Sequence, residues 1–170
     1  TPHDPVAGML DALSLAAAAE GQPLADFLSR GTSLLHGTTH AINAIITGRT
    51  AKTAFITTAG HGDMLVLREG GRAETFNFTH RFPEPYIPRS LTFEVPERVM
   101  ADGSVRLGLD EKAVLEVIDG LRAVNVEAVA VSLLWSIVNP AHELRIGELL
   151  ARHLPDIPFT LSHQLNPAIR

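Results

Sequence analysis

The last third of the chain carries a strand–helix–strand pattern, and this pattern constrains the fold most strongly. The run "AVAVSLLW" (128–135) is apolar and rich in β-branched residues, which predicts a buried strand. Asn139 and Pro140 predict the start of a helix that continues to His153, and "PFTLS" (158–162) predicts a second strand. Two strands joined by a helix of this length predict a right-handed parallel crossover.

The rest of the chain adds further helices, strands and a hairpin. Asp110 is the predicted cap of another helix, and Asp102-Gly103 lies between two extended runs within 91–107, as in a β-hairpin. Pro96 cannot donate to a strand ladder, so this hairpin is expected at a sheet edge. Periodicity earlier in the chain predicts helix 5–20, helix 23–29, strand 32–36, helix 38–48 and strand 53–58. The predicted fold class is α/β, with a mainly parallel sheet, flanking helices and an edge β-hairpin.

Composition and charge narrow the class of function. The chain has 170 residues, 45% of them hydrophobic and 19% charged, which is typical of a globular protein with a real core. Its net charge of −5 comes without any Lys/Arg block, so neither nucleic acid nor a membrane is an expected partner. The absence of cysteine excludes disulfides, zinc–thiolate sites and cysteine nucleophiles. A cytoplasmic location is expected, and the start at Thr1 suggests a piece of a larger protein.

The segment "LLHGTTHAINAIIT" (34–47) contains candidate ligand-binding residues. Gly37 lets the backbone approach a ligand closely, and the free N–H groups of a helix start suit a phosphate or carboxylate oxygen. The alternative is an ordinary strand-to-helix connection whose polar face meets water, which the local sequence by itself favours. The candidates here and after the next strand are His36, Gly37, Thr38, Thr39, Asn43, Asp63 and Arg68.

Other candidate chemistry is less specific. Asp63 and Arg68 flank the turn after strand 53–58, and a surface ion pair is their alternative interpretation. His40 and His61 are the remaining candidates for metal ligands, but no His-Glu-x-x-His motif accompanies them and no metal site is predicted. No Gly-x-Ser-x-Gly motif is present, which argues against a serine hydrolase of the α/β type.

Residues 68–90 lack periodicity and are rich in Gly and Pro, yet they concentrate aromatic residues. These are Phe76, Phe78, Phe82 and Tyr86. A solvated linker would not collect aromatic side chains, so a lid or a subunit contact is one interpretation. An irregular segment that packs on its own domain is the other.

Five stretches resemble, in order, the N-terminal region of the ATP-dependent hydantoinase/oxoprolinase family. This family includes N-methylhydantoinase A subunits, 5-oxoprolinase and acetone-carboxylase-type subunits. The stretches are "TPHDPVAGML", "LLHGTTHAINAIITGRTAKTAFITTAGHGDMLVLREGGR", "PEPYIPRSLTFEVPERVMADGSVRLGLDE", "VEAVAVSLLWSIVNPAHELRIGELL" and "LSHQLNPAIR". Because they cover nearly the whole chain, residues 1–170 are identified as this N-terminal domain and as a fragment of a larger chain.

The resemblance implies part of an actin-like, ribonuclease-H-like ATPase fold. It implies the A-type subunit of an ATP-dependent cyclic amidohydrolase that opens hydantoin or 5-oxoproline-like rings. The alternatives are a subunit of a ketone carboxylase of the acetone or acetophenone type, and a non-catalytic subunit-interaction domain. The implied cofactors of the full-length enzyme are ATP and Mg²⁺, and the implied partners are a B-type subunit or fused B-type domain and a small cyclic amide substrate. Gly37-Thr38-Thr39 with Asn43 matches the family's His-Gly-Thr-Thr…Asn motif.

The sequence also departs from the family pattern. The acidic Asp-x-Gly-Gly-Thr turn that binds phosphate in the family is missing here, so this chain alone is not expected to bind ATP tightly or to hydrolyse it. The family's Gly-Phe-x-Asp reads Gly60-His61-Gly62-Asp63, which keeps the Asp. The resemblance assigns no catalytic residue to this chain.

Overall fold

A computed structural model describes residues 4–33, 39–68, 76–77, 79, 83–165 and 167–168. The chain forms two compact units, Thr1–Thr47 and Gly48–Arg170. Within the described part of the chain, no helix has the length and apolar character needed to cross a membrane.

The described part of the first unit is helical. Its helices are α1 (Pro5–Ala19), α2 (Leu24–Ser29) and α3 (His40–Ile46). Asp4 caps α1, because its Oδ1 accepts the N–H of Ala7 at 3.0 Å. The three helices predicted in this region are confirmed. Of the predicted strand 32–36, residues 32 and 33 are not in a strand, and 34–36 lie outside the described residues.

The second unit is built on a four-stranded parallel sheet with strand order β2-β1-β5-β6. The strands of the unit are β1 (Thr53–Thr58), β2 (Thr92–Val95), β3 (Arg98–Val99), β4 (Val105–Leu107), β5 (Ala128–Ser132) and β6 (Phe159–Leu161). The helices are α4 (Met64–Leu67), α5 (Glu111–Ala123), α6 (Ala141–His153) and α7 (Ser162–Leu165). The α/β fold with a mainly parallel sheet is confirmed.

The strand predicted over 128–135 ends earlier, at Ser132. The amides of Leu133 and Leu134 do not continue the strand ladder but donate to side chains, Glu143 Oε1 at 2.9 Å and Thr58 Oγ1 at 3.1 Å. The chain then turns through Trp135, which has a φ of 60°. The apolar run therefore supplies a strand followed by a structured loop.

The hairpin around Asp102-Gly103 forms, with β3 and β4 antiparallel. Gly103 has a φ of 82°, and its N–H donates to the carbonyl of Met100 at 2.9 Å, which closes the turn. The hairpin is a two-stranded sheet of its own and not an edge of the parallel sheet, whose edge strands are β2 and β6. Pro96 follows β2 directly, where its missing N–H leaves no ladder bond unmade.

The hydrophobic core lies between the sheet and the helices α5 and α6. Its largest fully buried apolar side chains are Ile56, Val95, Val114, Ile118, Leu121, Val131, Ile146 and Leu150. Helix α6 packs close to β6, because a Cβ added at Gly147 would lie 3.1 Å from Leu161 and 3.2 Å from Phe159. Because α6 follows β5 along the chain, its start lies beyond the carboxyl end of that strand.

Candidate functional site

The carboxyl ends of the parallel strands meet at one edge of the sheet. The chain leaves β1 to form β2 on one side of it, and after α5 it returns to form β5 on the other side. The strand order therefore reverses between β1 and β5. In open α/β sheets, ligands bind at such a switch point, beyond the carboxyl ends of the strands.

Glu97 ties together the chain segments around this switch point. Its carboxylate accepts the hydroxyl of Thr58, the last residue of β1, and Nδ1 of His142 at 2.7 Å. Glu97 is 2% exposed, and Thr58 in turn accepts the N–H of Leu134. With the carboxylate as acceptor, Nδ1 of His142 carries the proton. One buried side chain thus connects β1, the segment after β2, the loop after β5 and the start of α6.

The carboxylate of Glu143 connects the ends of β5 and β6 through hydrogen bonds. It lies in the first turn of α6, is fully buried, and accepts two hydrogen bonds from His163, through N–H at 3.2 Å and Nδ1 at 2.6 Å. It also accepts the N–H of Leu133 at 2.9 Å and the hydroxyl of Ser162 at 2.7 Å. Four donors match the acceptor capacity of a carboxylate, and a helix N-terminus favours negative charge.

Sequence reasoning missed these two carboxylate–histidine pairs. The sequence does contain a signal, which is the adjacent His142 and Glu143, two and three residues after the predicted helix start at Pro140. A charged pair at that place, directly beyond a buried parallel strand, points towards the sheet's carboxyl edge. Glu97 carries no comparable local signal, because its partners are 39 and 45 residues away.

The predicted motif in the first unit is described only in part. Thr39 lies at the N-cap of α3, and its Oγ1 accepts the side-chain amide of Asn43 at 3.1 Å. Both residues are exposed. His36, Gly37 and Thr38 lie outside the described residues, as does the side chain of His40. The ligand-binding role of this motif stays a prediction.

Asp63 and Arg68 take different partners. Asp63 Oδ1 accepts Arg89 Nε at 2.7 Å, while Arg68 donates to the carbonyl of Pro83 at 3.1 Å. Arg89 also donates to Glu94 at 2.7 Å, and the hydrogen bond to Asp63 raises the pKa of Arg89 above its usual value. Because Asp63 and Arg89 are largely exposed, this pairing adds little stability and mainly orders the turn after β1.

The described side chains near His61 and Asp63 are poorly placed to bind a Mg²⁺ ion. Nδ1 of His61 lies 3.3 Å from the carbonyl of Ala59, and the carboxylate of Asp63 is occupied by Arg89. Among the residues described, no three His, Asp or Glu side chains are placed to hold a metal ion. These residues do not make up a Mg²⁺ site by themselves.

The chain is similar to proteins of one known family. The model of the hydantoinase/oxoprolinase N-terminal region matches residues 1–154. Caprolactamase subunit alpha of Pseudomonas jessenii is 34% identical across 100% of this chain and 25% of its own length. The gamma subunit of acetophenone carboxylase from Aromatoleum aromaticum is 32% identical, across 97% of this chain and 24% of its own length.

A solved structure agrees with these similarities. The crystal structure of the ATP-dependent caprolactamase from Pseudomonas jessenii superposes with a TM-score of 0.86, at 34% identity, over 100% of this chain and 25% of that one. The chain therefore spans about a quarter of the length of these relatives.

The buried position of Glu143 leads to a testable prediction. Glu143→Gln keeps the size of the side chain but replaces an accepting oxygen with a donor, so at least one buried donor loses its partner. We expect the free energy of unfolding, measured by urea denaturation, to fall by about 3 kcal/mol. Glu148→Gln is the control, because Glu148 lies on the same helix but pairs with Arg145 at the surface. Equal losses in the two variants would contradict the role given to Glu143.

Proposed function

Because this chain belongs to the hydantoinase/oxoprolinase N-terminal region family, we propose that it is part of the A-type subunit of an ATP-dependent cyclic amidohydrolase. The proposed substrates are small cyclic amides of the hydantoin or 5-oxoproline type. The observation that carries the proposal is the 34% identity to caprolactamase subunit alpha along the entire chain. A B-type partner subunit or fused B-type domain, and a cytoplasmic location, belong to the same proposal.

The proposed coupling to ATP has a chemical reason. An unstrained amide carbonyl is a poor electrophile and reacts slowly with water. Coupling to ATP allows phosphorylation of the amide oxygen, which gives water a better leaving group to displace. In this proposal ATP and Mg²⁺ are bound by the complete enzyme, since the described residues do not form a Mg²⁺ site alone. The second unit of this chain contributes the carboxyl edge of its sheet. In the first unit, we place the motif of Gly37, Thr38, Thr39 and Asn43 on the side that faces a ligand.

A ketone carboxylase is the alternative within the same family. The support is the acetophenone carboxylase gamma subunit, whose identity of 32% is close to the 34% of the caprolactamase subunit. A difference of this size does not separate two substrate classes. The two activities differ in their second substrate, which is water for the hydrolase and a source of the added carboxyl group for the carboxylase.

Phosphate release by the complete A-type subunit, assembled with its B-type partner, tests the proposal. We expect ATP hydrolysis to be stimulated by hydantoin or 5-oxoproline and to be matched by the amount of ring-opened product. In the same assay, Asn43→Ala should lower turnover at least tenfold with little change in melting temperature, while Thr47→Ala, also exposed at the end of α3, should not. Stimulation only by acetone or acetophenone with bicarbonate would contradict the hydrolase. If Asn43→Ala lowers the melting temperature as clearly as it lowers turnover, the motif has a structural role and not a ligand-binding one.

A non-catalytic function from a different class also has support. Residues 68–107 are proposed as a module that binds the partner subunit, because Phe76 and Tyr86 are 87% and 86% exposed. Aromatic rings are enriched at protein interfaces and are costly to leave in water. Phe78 and Phe82, the other aromatics of this segment, lie outside the described residues.

The aromatic rings give a separate prediction. The double variant Phe76→Ala/Tyr86→Ala should weaken association with the B-type subunit at least tenfold in a sedimentation or light-scattering titration, while its circular dichroism spectrum is kept. Leu15→Ala is the control, since Leu15 is 72% exposed on α1, far along the chain from this segment. Unchanged association in the aromatic variant would exclude these rings from the interface.

A further inference from the structure

A cleft opens where the chain leaves β5 and β6. Its volume is about 310 Å³, at the lower end of the roughly 300–1,000 Å³ of small-molecule sites. Its apolar lining includes Leu134, Trp135 and Ile137, and three serines, Ser132, Ser136 and Ser162, contribute hydroxyls. None of the described residues that line it is charged. Such a lining suits a small neutral molecule better than an ion, because an ion would lose its hydration without gaining a countercharge.

Two of the three serine hydroxyls in this cleft, those of Ser136 and Ser162, have a fixed direction. Ser162 Oγ donates to Glu143 Oε1 at 2.7 Å, which uses its single proton. Ser136 Oγ lies 3.2 Å from Ser162 Oγ, so in this pair Ser136 is the donor and Ser162 the acceptor. The proton of Ser136 therefore points inward, along the chain to Glu143. What Ser136 offers to a ligand is a lone pair, which requires an N–H or O–H donor.

The backbone beside these serines is held in an unusual conformation. Trp135 has a φ of 60°, in the left-handed region that is strained for a bulky residue. Its carbonyl accepts the N–H groups of Val138 at 2.9 Å and Asn139 at 3.0 Å, which stabilise the turn. Asn125, with a φ of 50°, follows the C-cap of α5, where Asn is common, so it needs no special explanation. Strained residues of the Trp135 kind cluster at ligand sites.

From the uncharged apolar lining, the inward-directed serine chain and the Trp135 turn, we infer that this cleft binds a small neutral ring compound that carries an N–H donor, of the lactam class. The N–H donor follows from the direction of the Ser136 and Ser162 hydroxyls. The choice of a lactam among neutral N–H compounds rests on the proposed function. Glu143 is then a positioning residue, because it sets the direction of the hydroxyl that meets the ligand.

The test uses the chain's own fluorescence. Trp135 is the single tryptophan of the sequence and lines the cleft, so its emission reports on occupancy. We expect 2-pyrrolidinone, titrated into the millimolar range without ATP, to change this emission in a saturable way. N-methyl-2-pyrrolidinone, which has the same ring but no N–H, should bind about tenfold more weakly, because it leaves Ser136 unpaired. Identical curves for the two compounds, or a linear response to both, would overturn the inference.

Serine variants test which hydroxyl causes the difference in affinity between the two lactams. Ser136→Ala should make the affinities for the two lactams equal, whereas Ser90→Ala, at an exposed position outside the cleft, should keep the tenfold difference. Ser162→Ala is a second variant, which frees the proton of Ser136 and should reduce the preference for the N–H compound. A preference that survives in both Ser136→Ala and Ser162→Ala would overturn the inference. This binding test can fail while the proposed function stands, because the proposed function is tested by ATP-coupled product formation in the assembled enzyme.

Discussion

The buried carboxylate of Glu143 is the interaction on which the carboxyl edge of the sheet depends. A carboxylate taken out of water must have its acceptor positions filled, and here the ends of β5 and β6 supply all four donors. Because the amide of Leu133 turns to this carboxylate, β5 stops at Ser132 and the following loop becomes free to form a cleft. The hydrogen bonds of one buried carboxylate thus mark where β5 ends and where the loop that lines the cleft begins.

Glu97 extends this arrangement to the other side of the switch point. It connects Thr58 at the end of β1 to His142, the residue next to Glu143, so the first turn of α6 is bonded to three strands or their following segments. The apolar core between the sheet and the helices supplies the stability of the unit. The two carboxylates shape the edge that the core supports, which is where proteins of open α/β fold bind their ligands.

The sequence predicted the elements well where apolar periodicity decides the structure, as for β1, α5, α6 and β6. It extended β5 by three residues, because Leu133, Leu134 and Trp135 continue the apolar run, while the amides of Leu133 and Leu134 donate to side chains elsewhere in the chain. Buried glutamates were overlooked, since glutamate is rarely buried and its partners are far along the chain. Asp63 was considered with Arg68, five residues on, but its partner is Arg89, 26 residues on. The family, by contrast, followed from the order of five stretches, which no local rule of spacing supplies.

Amide hydrogen exchange at the ends of β5 and β6 tests the central role of Glu143 most directly. In Glu143→Gln, we expect exchange at Leu133 and His163, whose amides donate to this carboxylate, to accelerate at least tenfold more than at Val129. Val129 is the internal reference, because its amide donates to the carbonyl of Pro158 within the sheet. Equal acceleration at all three amides, or none at Leu133, would contradict the claim that this carboxylate organises the edge.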